Sequence, residues 1–203
     1  MTLPQNQREA RARFVLGVVL SDVCGEEFAT ELYRQALRHN PYLVPAYVRL
    51  GVSYAYAADY PSMLGAFEKA IGLDPAAARI AACEEPAEAL QIKRILFPPE
   101  PTSTEGTYVS AMPAEFKVAG DLVTMSMQHL AAGRDGEAVR ALERSLSIDD
   151  THDFAVALLS LTYLLLRKQN GPLEGARGKS MLWGIAPDLA AYLLSSTHGA
   201  DTN

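Results

Sequence analysis

Residues 44–77 read VPAYVRLGVSYAYAADYPSMLGAFEKAIGLDPAA, and this stretch decides the fold. Four of its features recur one repeat earlier, at a constant offset of 34 residues. The matched pairs are Leu16-Gly17 with Leu50-Gly51, Leu20 with Tyr54, Ala36 with Ala70, and Asn40-Pro41 with Asp74-Pro75. A constant offset of this length predicts a structural repeat in which each unit buries its apolar face against its neighbours.

The repeated residues resemble the tetratricopeptide repeat family. The matching positions in 44–77 are Tyr47, Leu50-Gly51 and Tyr54 in a first helix, Phe67 and Ala70 in a second, and Asp74-Pro75 at the exit. Met63 departs from the family pattern, which usually has a small Ala there. The resemblance implies an all-α fold, a right-handed superhelical solenoid of antiparallel helix pairs. It also implies that the first helices line a concave groove that binds a peptide or protein segment.

The spacing divides the chain into one solenoid with an irregular insert. Four repeats are predicted, at 10–43, 44–77, 119–152 and 153–187. The insert, 78–118, is expected to hold a helical stretch bent at Pro86 and then a proline-rich loop, which is longer than compact domains usually carry. Residues 188–203 are expected to form a capping helix and a tail, since Pro187 suits the first turn of a helix.

Composition limits the classes of partner. The net charge is −6 and there is no long basic run, so a nucleic-acid surface is not expected. The longest apolar stretch, 154–166, is shorter than a membrane span, and the apolar run near the N-terminus lacks a cleavage site. Cys24 and Cys83 form no disulfide framework or metal motif, and we expect buried thiols in a reducing cytoplasm.

No stretch predicts catalysis, a metal or a cofactor. Residues 171–180, GPLEGARGKS, end like a phosphate-binding loop, but the spacing between the two key glycines is wrong and a helix, not a strand, precedes them. No histidine pair has the spacing of a zinc site. We therefore expect a protein that is not an enzyme, with nucleotide binding through 171–180 as a minor alternative.

A surplus of apolar residues on the first helices indicates the functional surface. They recur at intervals of three and four, so they form a stripe apart from the residues that build the repeats. The predicted partner-binding residues are Phe14, Val18, Val48, Val52, Tyr56, Val123, Met127, Leu130, Ala157, Leu161 and Leu164. Among nearby cations only Arg11 and Arg49 are available, so a clamp for a terminal carboxylate is not expected.

Such an apolar groove must be covered, because large exposed apolar patches are rare on soluble monomers. Three covers are possible: a protein partner bound as an amphipathic helix, a second copy of the chain, or the insert 78–118 folded back. The leading interpretation is a non-enzymatic scaffold, adaptor or assembly factor. The alternative is a structural subunit or homo-oligomer in which the groove is packed permanently.

Overall fold

The computed structural model describes residues 4–98 and 114–170, together with Pro187 and Ala190, and these residues form α-helices and their connections without any strand. The nine helices of this part of the chain are α1 (Gln5–Cys24), α2 (Glu26–His39), α3 (Val44–Tyr56), α4 (Tyr60–Leu73), α5 (Pro75–Cys83), α6 (Ala87–Leu96), α7 (Ala114–Ala131), α8 (Asp135–Ile148) and α9 (Asp153–Asn170). The all-α expectation is confirmed here. None of these helices is long and apolar enough to cross a bilayer.

Local sequence signals set the helix ends. The Asp59 carboxylate accepts a hydrogen bond from the backbone N–H of Ser62 and begins α4. Asp74 accepts from the N–H groups of Ala76 and Ala77 and begins α5, one residue after α4 ends. These carboxylates satisfy N–H groups that have no partner inside the helix. Gly25 alone joins α1 to α2 and has a φ of +86°, which a glycine adopts without strain.

The first two helix pairs are held by an aromatic ring lying on a glycine. A Cβ atom added to Gly51 would lie 2.3 Å from Cε1 of Phe67, on α4. At Gly17 the same addition would come within 2.6 Å of Cε1 of Tyr33, on α2. The two contacts are 34 residues apart, so the repeated sequence feature corresponds to a repeated packing contact. Only a residue without a side chain allows the paired helices this close an approach.

The insert forms two separate helices instead of one bent helix. Residues 84–86 are non-helical and divide α5 from α6. Pro86 disfavours the helical conformation of the residue before it, so the expected bend becomes a break. α5 packs against α3, α4 and α7, whereas α6 packs mainly against α1 among the described helices.

The buried apolar residues form two cores, and α3 contributes residues to both of them. The first core, centred on α1 and α2, receives Ala46 and Leu50 from α3. The second core receives Val48 and Val52 from the same helix and is completed by α4, α5, α7, α8 and α9. Ala190 is buried in the second core. The remaining residues of the predicted capping segment 188–203 lie outside the described part of the chain.

The chain closes on itself instead of leaving an open row of helices. α9 packs against α8 and also against α3 and α4, which come about a hundred residues earlier. Arg167 pairs with Glu68 at 3.4 Å, and Lys168 Nζ donates to the Ile71 carbonyl oxygen at 2.6 Å. The open concave face implied by the family resemblance is therefore absent from α3. The right-handed superhelical path stays a prediction.

The Gly51 contact is tested by comparing two alanine substitutions in neighbouring helices. Gly51→Ala should lower the free energy of unfolding by about 1–3 kcal/mol, because the new methyl group overpacks against Phe67. Gly65→Ala, on the exposed side of α4 with nothing within 4 Å, should raise it by about 0.5–1 kcal/mol. Urea denaturation measures both. Equal shifts in the two variants would contradict the packing role of Gly51.

Candidate partner-binding surface

The predicted groove residues are mostly inaccessible. Nine of the eleven are at most 7% exposed, Met127 is partly buried, and Tyr56 is 50% exposed. The nine buried residues are Phe14, Val18, Val48, Val52, Val123, Leu130, Ala157, Leu161 and Leu164. Other helices of the same chain cover these residues, so the expectation that the groove is covered agrees with this structure, and their role in partner binding stays a prediction. Partner binding by these side chains requires a cover to move.

The inner face of α3 has an apolar cover. Val48 and Val52 lie in the second core with Ala78 and Ala82 of α5 and with the buried leucines of α9. From Ala155 to Leu165 every residue of α9 is buried. Each fully buried leucine is worth roughly 1.5–3 kcal/mol. This cover is part of the core, and removing it would unfold the second core.

The inner face of α1, which carries Val15 and Val18, is covered by a contact of different chemistry. α6 lies over it, and Ala89 is the one α6 residue that is fully buried within the described structure. Ala89 joins the first core together with Val15 and Val18 of α1. The larger apolar side chains of α6 are exposed. Ala89 is therefore the one α6 side chain that enters the first core among the described residues.

Ion pairs supply the rest of the α1–α6 contact. Arg11 pairs with Glu88, with its Nε donating to Glu88 Oε1 at 3.0 Å. Lys93 Nζ lies 2.6 Å from Asp22 Oδ2 of α1, and it also lies 3.0 Å from Oε1 of Glu85, in the connection directly before α6. The hydrogen bond from Arg11 lowers the pKa of Glu88. The pKa of Lys93 is raised, since its bonds to Asp22 and Glu85 outweigh the opposing effect of desolvation.

These ion pairs bind α6 weakly. Arg11, Glu88 and Asp22 are each about half exposed or more. Exposed pairs contribute about 0–1 kcal/mol each and are screened by salt. α6 has ten residues, which is fewer than an isolated helix needs to be stable in water. The two covers therefore differ: α9 contributes a long run of buried apolar residues to a core, whereas α6 contributes Ala89 and two ion pairs in which Arg11, Glu88 and Asp22 are about half exposed or more and Lys93 is 17% exposed.

A second set of apolar side chains, not predicted from the sequence, is exposed. They lie on α6, directly after it, and at the start of α7: Leu90, Ile92, Ile95, Leu96, Phe97, Phe116 and Val118. The most exposed is Ile95, at 71%. The spacing of Ile92, Ile95 and Leu96 is the signal that was available.

The buried polar groups serve the packing of helices. Arg79 of α5 and Asp135 of α8 form an ion pair at 2.6 Å, and Gln169 of α9 donates to the same carboxylate oxygen at 3.4 Å.

A cleft of about 300 Å³ lies between α4 and α9, beside the Arg167–Glu68 pair. In the described ranges no three metal-ligating side chains come together. The predicted nucleotide alternative, 171–180, lies outside the described residues.

The cysteines differ from the sequence expectation. Cys24 is exposed at the end of α1, where Gly25 ends the helix and leaves the side chain without a covering element, so the expectation of a buried thiol is wrong there. Cys83 is partly buried, and burial together with the nearby Glu84 carboxylate raises its pKa to about 11. Neither thiol lies at the α1–α6 contact described above.

Comparison with known proteins leaves the family open. No protein-family model matches the chain, and no curated protein is significantly similar to it. The tetratricopeptide resemblance therefore depends on the 34-residue spacing and the glycine–aromatic contacts of this chain alone.

The two thiols should be distinguishable by alkylation. At pH 8 only about one Cys83 side chain in a thousand is a thiolate, given its raised pKa, whereas Cys24 is open to solvent. Mass spectrometry after brief iodoacetamide treatment should find one adduct, at Cys24. A second adduct should form rapidly once urea unfolds the chain. Equal rates at both positions in the folded chain would contradict this description.

Substitutions in the predicted groove should act on stability. Val52→Gln and Leu161→Gln each place an amide in the second core and should lower the free energy of unfolding by about 2–4 kcal/mol. Tyr56→Gln, on the exposed end of the same helix as Val52, should change it by less than about 1 kcal/mol. Thermal unfolding followed by circular dichroism measures all three. Unchanged melting of Val52→Gln would show that this face is not covered in solution.

Proposed function

We propose that this protein is a non-enzymatic scaffold of the tetratricopeptide type, an adaptor or assembly factor that holds a helical segment of a protein partner. It requires no cofactor and works in the cytoplasm, where unpaired thiols such as Cys24 and Cys83 stay reduced. The 34-residue spacing and the two glycine–aromatic contacts support the repeat assignment.

A single observation supports the binding role: the inner face of α1 holds a short helix through two ion pairs and one buried alanine. A helix in a groove is a common mode of peptide recognition. α6 occupies that position now, with Ala89 as its one buried residue. A partner helix takes the place of α6, and the first core stays intact because it is formed mainly by α1, α2 and α3.

Displacement of α6 sets the affinity of the partner. α6 is tethered through residues 84–86, so its effective concentration at α1 is on the order of millimolar. A partner competes with that concentration, and its apparent affinity is its intrinsic affinity multiplied by the fraction of chains in which α6 is undocked. A cover held by exposed ion pairs keeps this reduction small. If α6 were held by an apolar core, as α9 is, the reduction in apparent affinity would be too large for a partner to bind.

Affinity capture combined with hydrogen exchange tests this function. The tagged chain is purified from its own cells, and amide exchange of the recovered complex is compared with that of the free chain. We expect a protein partner that protects α1 amides and speeds exchange in α6, because α6 is displaced. Protection confined to α7 and α8, or a chain recovered alone, would contradict the proposal.

A structural subunit or homo-oligomer is the second candidate, and the exposed apolar residues of α6 and the start of α7 favour it. A ten-residue helix is about 15 Å long, so this face buries far less than the roughly 800 Å² per partner of a standard interface. We therefore expect a monomer in light scattering at micromolar concentration. A stable dimer that Ile95→Lys dissociates would instead establish the structural alternative.

A further inference from the structure

We infer that the inner face of α1 selects partner helices that carry an acidic residue, a small residue directly after it, and a lysine four residues further on. This is the pattern Glu88-Ala89-x-x-x-Lys93 of α6 itself. The inference rests on the proposed function and adds the class of partner. α6 therefore covers the site, and its own sequence shows the pattern that we expect in the ligand.

The charges of α1 set the two ends of the pattern. Arg11, Val15, Val18 and Asp22 follow one another at intervals of four, three and four, so they lie along one stripe of the helix. The cation stands at one end of this stripe and the anion at the other, about three helical turns apart. A bound helix must therefore present its acid to Arg11 and its lysine to Asp22. The reverse orientation places like charges together.

The apolar middle of the stripe requires a small residue. Ala89 is completely buried, and it belongs to the same core as Val15 and Val18. A long side chain at this position would hold the helix away from α1 and separate both ion pairs. The outward position Ile95 carries no such requirement, because its side chain is 71% exposed. A partner is free to differ there.

The test uses two variant chains in which α6 and α1 carry like charges at the two ion-pair positions, so that α6 is repelled from α1. In the Glu88→Lys/Lys93→Glu chain the reversed charges lie on α6, and the α1 face is unchanged. In the Arg11→Glu/Asp22→Lys chain the α1 face itself is reversed. Arg11, Asp22 and Glu88 are largely exposed, so both chains should fold, which circular dichroism checks. Glu88→Lys alone is the milder second variant, should the change at the less exposed Lys93 disturb folding.

The ligands are two fluorescent peptides of residues 84–97, one with the natural sequence and one with Glu88→Lys and Lys93→Glu. The natural peptide should bind the chain with reversed α6 about two- to threefold more tightly than it binds the wild-type chain, since the tethered competitor is weakened. The reversed peptide should bind only the chain with reversed α1. Arg38→Glu, in the exposed Arg38–Glu31 pair of α2, should leave both affinities unchanged. Fluorescence anisotropy measures binding.

Two results would overturn the inference. In the first, each peptide binds both altered chains with equal affinity. In the second, neither peptide binds either altered chain. These results are distinct from failure of the proposed function. If each peptide binds only the chain with matching charges but no cellular partner is found, the specificity of α1 is established and the adaptor role is removed. A cellular partner retained by the Arg11→Glu/Asp22→Lys chain would support an adaptor and contradict this site.

Discussion

The contact between an aromatic ring and a glycine backbone is the constraint on which the helix pairs depend. Phe67 lies over Gly51 and Tyr33 over Gly17, so each pair approaches more closely than any side chain would allow. That approach places the adjoining faces of α3 toward two different cores, with Leu50 in the first and Val52 in the second. Among the described helices, α2, α4, α5 and α9 all pack against α3.

The helix pairs were predictable because their signals are local. Gly51, Phe67 and Asp74 act within a single repeat, so their spacing in the sequence carries the packing and capping information. The cover of the groove depends instead on contacts between distant segments. Nothing in the spacing of Leu161 or Leu164 indicates that α9 returns to α3 and α4. The spacing therefore predicts the apolar surplus but not its cover by α9.

The α1–α6 contact shows the same limit at smaller scale. The possibility that the insert folds back over the groove was open in the sequence, and both of its helices pack against first helices. The charged residues that hold α6 are unremarkable in isolation: Arg11, Asp22, Glu88 and Lys93 are common residue types on helix surfaces. Only their proximity across 71 to 77 positions of sequence makes them a pattern.

The return of α9 to α4 has a consequence for synthesis on the ribosome. Arg167 and Glu68 are separated by 99 residues, so the valines of α3 cannot be covered by α9 until that much more chain has been made. At typical translation rates this delay is roughly 5–20 s. During it the nascent chain presents the apolar inner face of α3 without its final cover, at the stage when chaperones meet it.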